Sequence, residues 1–286
     1  MIRQFYWALR RELWENRWLW LAPSAVALVL AIGVATYAFK ITGPMRAIGA
    51  VAALHQRRAI SEPYEVVAGL MMGVGLVVAA VYCVDALYGE RRDRSILLWK
   101  SLPVSDGMTV LAKLTIPVLV LPVITWALTI AVQFVLLLLS TAVLTAHGES
   151  TALLWTQLHL GSESVGLLYH LVALHGISTA PLYAWLLLVS AWAPRAPFVW
   201  AILPPAAIML FERVAFGTTR IAQLLVNRLG GGSSAPPPVP GGTLMDSMNG
   251  VPFTRLVVAP GLWIGFAVAA LFVVGAVRLR RSAQAV

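Results

Sequence analysis

Five long runs carry no Asp, Glu, Lys or Arg: Trp18 to Phe39, Val66 to Val84, Leu114 to Ala146, Ser164 to Pro194 and Leu256 to Val277. Each is about 20 residues or longer, the length with which an α-helix rising ~1.5 Å per residue spans ~30 Å of hydrocarbon. A shorter run, Ala196 to Phe211, falls between the last two. The uncharged Val214 to Thr219 beyond Glu212 and Arg213 extends it as a bent or re-entrant segment. The pattern predicts an all-α membrane protein, a single transmembrane domain over 1–286 with helices at 18–39, 66–88, 114–146, 166–193, 196–216 and 256–277. Only 12% of the residues are charged and 59% are hydrophobic. A soluble domain carries about a quarter charged, and a lipid-facing surface accounts for the deficit.

The first run is too long for the apolar core of a signal peptide, and no small-residue cleavage site follows it, so it reads as a span. Cys83 is the one cysteine, which excludes an intrachain disulfide and a cysteine-cluster metal or redox centre. The net charge of +9 does not mark a nucleic-acid protein, because the arginines flank the apolar runs instead of lining one soluble face. They read as topology signals. With the N-terminus inside, thirteen of the 21 Lys and Arg residues fall on the cytoplasmic side, five of them in the second loop, while the third loop, His147 to Glu163, has none. Lys40, Arg46, Arg57 and Arg58 in the first loop run against this orientation. The balance places both ends of the chain in the cytoplasm.

Ahead of the first span, residues 1–17 are amphipathic. At about 100° per residue Ile2, Phe5, Tyr6, Leu9 and Leu13 share a face flanked by Arg3, Arg10 and Arg17. This predicts an interfacial helix, the alternative being a solvated extension of the first span. Trp7, Trp14 and Trp18, together with Trp20, suit the headgroup layer as interfacial anchors.

The loop at 90–113 opens with Glu90-Arg-Arg-Asp-Arg94, becomes apolar, and meets Pro103 before Ser105 or Asp106, candidate N-caps for the next helix. A short helix from Arg94 to Leu102 is expected, presenting Ile96, Trp99 and Leu102 or Leu98 at helical spacing. Such a helix offers a docking surface or tucks against the bundle's own ends. Pro117 and Pro122 should bend the third run, and Pro181 the fourth. Between the fifth and sixth spans, Thr218 to Leu229 suggests a helix. The Gly- and Pro-rich stretch Gly230 to Gly242 that follows cannot bury a core and reads as an extracytoplasmic linker.

Catalytic motifs are missing. None of Lys40, Lys100 and Lys113 follows a glycine-rich phosphate cradle, so ATP, if used, is hydrolysed by another chain. There is no His-Glu-x-x-His helix, and Gly176-Ile-Ser178 lacks the flanking glycine of a serine nucleophile turn. No metal or cofactor site is expected within the chain. His170 and His175, five apart, sit ~140° from one another on an α-helix, which suits structural hydrogen bonding rather than a shared metal. Asp85 is an acidic residue placed in a span near its cytoplasmic end, so it is a candidate intramembrane polar site, with Arg92 two turns on as a structural partner. Gly69-x-x-x-Gly73 and Gly261-x-x-x-Gly265 permit close helix contact within the bundle or in a dimer.

The stretch from Glu90 to Asp106 followed by Lys113-Leu114 resembles the cytoplasmic loop of ABC type-2 permeases, the membrane subunits of type V-like ABC exporters. Arg11-Glu-Leu-Trp-Glu-Asn-Arg17 is similar to the family's interfacial elbow helix. The resemblance implies a permease of a bacterial inner membrane that dimerises, homodimer first, and binds two copies of a separate ATPase holding ATP and Mg2+. The contact would be a coupling helix at Arg91, Arg92, Arg94, Ile96, Trp99 and Leu102. It also implies a re-entrant extracytoplasmic hairpin over 217–255, from which the Gly/Pro linker departs. Drugs, peptides, lipids and lipid-linked glycans are the family's cargoes. The alternative is a proton-coupled secondary transporter using Asp85.

Overall fold

The computed structural model describes residues 2–43, 53–93, 105–229 and 253–282. Among these the chain is helical without strands. Five helices are long and apolar enough to cross a membrane, and a sixth span results if 152–177 and 180–192, bent by 45°, are one. This is the layout of a multi-pass membrane protein.

Helix α1 (Ile2–Glu15) leads through a turn into α2 (Trp18–Ala38). The second apolar run lies in α3 (Ala53–Asp85), which begins ahead of the expected start at 66 because the polar Gln56 to Glu65 continue the same helix. The helix breaks after Asp85 and resumes as α4 (Tyr88–Arg92). The freed N–H groups of Leu87 and Tyr88 both donate to Ser190 Oγ at 2.9 Å, so the break leaves no buried donor without a partner.

The third apolar run belongs to a nearly continuous rod: α5 (Asp106–Thr115), a π-helical turn π1 (Ile116–Val120) and α6 (Leu121–Ala146). Ser105 caps α5, its Oγ accepting from Met108 N at 3.2 Å. Pro117 and Pro122 lack the N–H an α-helix would use, and the i to i+5 bonding of π1 absorbs the mismatch. Helix α7 (Ala152–Gln157) caps the far end, and the fourth run contains α8 (Leu160–Tyr169), a second π-helix π2 (His170–Ile177) and α9 (Ala180–Trp192). The chain bends between π2 and α9, just before Pro181. Helix α10 (Pro197–Phe216) is followed by α11 (Arg220–Leu229), α12 (Phe253–Val258) and α13 (Pro260–Ser282).

Two apolar cores stack along the bundle. One joins α2, α3, α6 and α7 through Ala27, Val34, Tyr64, Met71, Leu136 and Leu154. The other joins α2, α3, α5, α9 and α13 through Leu19, Tyr82, Val110, Ile116, Leu187 and Ala276. The second lies against the end that carries α1, the close of α13 and the stems of the loop between α4 and α5.

Candidate functional site: an ionic cluster beneath the second loop

Seven polar side chains from five helices meet at that end. Glu12 on α1 is almost wholly buried, and its carboxylate receives Lys113 Nζ of α5 at 2.9 Å and the Tyr82 hydroxyl of α3 at 2.9 Å. Lys113 Nζ also lies 3.1 Å from Glu90 Oε1 on α4. Arg280, near the end of α13, pairs through its Nη1 with Glu90 and through its Nε with Asp106 Oδ1 at 3.0 Å. Arg11 closes the cluster, 3.0 Å from Glu12 and 3.9 Å from Glu90.

A charge moved out of water is tolerated when opposite charges and hydrogen bonds replace its hydration. Burial by itself would raise the Glu12 carboxyl. The Lys113 charge, its hydrogen bond, the Arg11 charge and the Tyr82 hydroxyl outweigh that effect and hold it below the ordinary carboxylate value. Glu90 and Asp106 flank the second loop on either side, and Arg280 holds both. The loop's two stems are thus fastened to each other and, through Lys113 and Glu12, to the N-terminal helix.

Arg91 and Arg92, neighbours in the segment expected to couple to a partner, part company. Arg91 is buried and donates to the carbonyls of Ser190 at 2.9 Å and Ala193 at 2.7 Å, closing the C-terminal end of α9. Arg92 is exposed, 3.0 Å from Asp93 and 3.9 Å from Asp85. Asp85 is itself half in solvent, its side chain 51% exposed, at the end of α3. Arg94, Ile96, Trp99 and Leu102 lie outside the described residues, as does the expected helix from Arg94 to Leu102.

The N-terminal helix is seated differently from the expectation. Leu9 and Leu13 pack on the lower core beside buried Ala8 and Glu12, while Tyr6, Trp7 and Trp14 face outward. Trp18 turns half inward onto the same core, so of the three expected anchors only Trp7 and Trp14 are fully presented. The expected shared face of Ile2, Phe5, Tyr6, Leu9 and Leu13 is therefore divided, with Leu9 and Leu13 on the core and Tyr6 outward, and the pairing of Glu12 with Lys113 fixes the rotation.

A second polar region lies between the two π-helices. The rings of His170 and His175 are 5.0 Å apart, closer than α-helical spacing allows, because a π turn stacks residues five apart. Among the described residues no group of three His, Cys, Asp or Glu side chains gathers that could hold a metal. His175 and Thr125 line a small cavity of about 20 Å³ with Met72, Pro117, Pro122 and Tyr183. Gly176 permits the approach of the two rods, since a Cβ there would collide with the Val118 carbonyl oxygen.

On the opposite side of the bundle Glu212 organises the turn after α10. Its carboxylate accepts from the Thr218 hydroxyl at 2.6 Å, Arg220 N at 2.7 Å and Ile221 N at 2.9 Å, capping α11. Arg228 then reaches back to the carbonyls of Ser178 at 2.8 Å and Gly261 at 2.6 Å, which ties α11 to the bend of the fourth run and the start of α13.

No protein-family model matches the chain, and no curated protein or solved structure matches it.

The ionic cluster was not legible as a site. Its members lie at 11, 12, 82, 90, 106, 113 and 280 along the chain, and the sequence reading assigned Arg11, Lys113 and Arg280 to topology. One signal was present: Glu12 stands on the apolar side of an amphipathic helix, where an acid needs a cation.

Proposed function

We propose that this chain is the membrane permease subunit of an ATP-driven exporter of the ABC type-2 class, working as a dimer with a separate ATPase. The observation that carries the reading is the attachment of both stems of the second loop to one buried ionic cluster. A push on that loop by a partner would be delivered through Glu90 and Asp106 to Arg280 on α13, and through Lys113 and Glu12 to α1 and the α5–α6 rod. Rigid-body displacement of packed helices about such a joint is a known way of opening a path between membrane halves. Arg91 then acts as a strut to α9, and Ile96, Trp99 and Arg94 are the surface a partner would meet. In this orientation the cluster is cytoplasmic, and the α10–α11 turn with 217–255 is the extracytoplasmic hairpin, tethered by Arg228. The second copy is expected against the open face of α3, where a Cβ on Gly69 or Gly73 would meet nothing within 4 Å. ATP and Mg2+ belong to the partner.

The proton-coupled alternative gains little from Asp85, which is half exposed and beside Arg92. The test is a search of the adjacent reading frames for a soluble protein with a Gly-x-x-x-x-Gly-Lys-Ser/Thr motif, followed by coexpression with it. Expected are a stable complex, ATP hydrolysis only in the complex, and loss of binding in Trp99→Ala and Ile96→Ala with unchanged melting in detergent. Lowered melting with ATPase binding retained would sink the assignment.

A further inference from the structure

The burial of Glu12 has a consequence on the other side of α1. With Glu12 fixed to Lys113 the helix cannot roll, and it presents a line of side chains, Arg3, Trp7, Arg10 and Trp14, spaced four, three and four residues, which exposed Arg17 continues in the turn before α2. That spacing is one face of an α-helix, and here the face alternates cation and indole. The Arg10 guanidinium stands over the rings of both Trp7, 5.1 Å from its centroid, and Trp14, at 4.6 Å. Trp14 is 65% exposed and Trp7 is 52% exposed. Where α1 turns into α2, Leu13, Trp14, Arg17 and Trp20 line an open groove. The neighbouring acid Glu15 is drawn to Arg11 at 3.7 Å, and among the described residues neither Arg10 nor Arg17 makes an ion pair.

We infer that this face is a binding site for the phosphate headgroups of acidic phospholipids, with Arg10 and Arg17 as the phosphate ligands and Trp7, Trp14 and Trp20 bedded at the level of the acyl carbonyls. Three features select that occupant. Guanidinium groups match phosphate oxygens with paired N–H donors. Exposed tryptophans at the start of a transmembrane helix belong to the membrane interface, and a soluble protein does not leave so many in water. A basic face without an acid gains about 1 kcal/mol per arginine at an anionic bilayer, a preference of about fivefold each. The inference rests on the membrane reading alone and stands whether or not the chain transports anything.

The purified full chain, stripped of lipid, is titrated with dioleoyl phosphatidylglycerol and with dioleoyl phosphatidylcholine and read by native mass spectrometry. Phosphatidylglycerol should be retained at least tenfold better by the wild type. The preference should vanish in Arg10→Gln/Arg17→Gln and persist in Arg278→Gln, which removes an exposed cation at the same end. Excess inorganic phosphate should not displace the lipid, because the indoles hold its glycerol and chains. Equal loss in Arg278→Gln would mean diffuse attraction and overturn the site, as would displacement by phosphate alone or an unchanged preference in the double variant. On the unsubstituted protein, a photoactivatable phosphatidylglycerol should cross-link within residues 7–20. Labelling confined to other segments refutes the proposal even if the double variant does not fold.

Discussion

The two buried polar regions of this protein are built on opposite terms. At the loop end, Glu12, Lys113, Glu90 and Arg280 are full charges, each facing an opposite charge within 3.1 Å. Around the π-helices the polar groups are a hydroxyl and two imidazoles, and Thr125 Oγ1, His170 Nδ1 and His175 Nδ1 are buried without a hydrogen-bond partner. The difference follows from cost. An uncompensated ion in a low-dielectric interior is far more expensive than an unpartnered hydroxyl or imidazole. The chain can leave the second kind of group unsatisfied where two rods must approach and bend, but not the first. The cluster is therefore a fastening by charge pairing, and the π junction is a joint held by close packing.

The comparison breaks first at Lys113. Lys113→Met leaves Glu12 and Glu90 facing each other without their shared cation, and removing one partner of a buried ion pair costs about 3–5 kcal/mol. A large fall in detergent melting temperature is expected, with faster hydrogen exchange in α1. Melting equal to wild type would show that the carboxylates are satisfied in some other way, and the fastening idea would fall.

Gly176→Ala tests the joint from the other side. The added methyl meets the Val118 carbonyl oxygen, and overpacking of this kind costs about 1–3 kcal/mol. A smaller fall in melting than for Lys113→Met is expected. An unchanged melting curve would mean that the two π-helices part easily.

Acidification sharpens the contrast. The Glu12 carboxyl titrates lower in the folded protein than its ordinary value of 4.5, so its contribution is complete above that pH and is lost as pH falls through the lowered value. Melting of wild type and Glu12→Gln compared across pH should differ most near neutrality and converge under strong acid. A constant difference down to the lowest pH at which the protein remains in solution would contradict the pairing with Lys113.

The smallest effect belongs to Thr125→Val. The hydroxyl is buried with no partner, so a near-isosteric apolar group should leave melting unchanged or raise it by up to about 1 kcal/mol of stability. A clear loss would mean that the 20 Å³ cavity, large enough for one water, contains a bridging molecule to which Thr125 is bound.

The amino-acid sequence by itself determined the class of this protein. Uncharged runs of membrane-spanning length, prolines at 117, 122 and 181, and a serine at 105 are local signals. They specify helices, the bend just before Pro181 and the Ser105 cap through backbone chemistry that needs no distant partner, whereas at Pro117 and Pro122 the expected bend is replaced by a π-helical turn within a nearly continuous rod. It also pointed to Arg92, seven residues on, as the partner of Asp85, and the two stand 3.9 Å apart although the helix breaks between them. Tertiary structure decided the rest. The α-helical angle between His170 and His175 misled because the local winding is π, a response to packing against π1 that no residue count reveals. Glu12, Lys113, Glu90 and Arg280 read as scattered charges because their attraction acts through space, while sequence separation says nothing about distance once the helices are packed. The rotation of α1, and with it which tryptophans face outward, was settled by the one place where a buried carboxylate could find a buried ammonium.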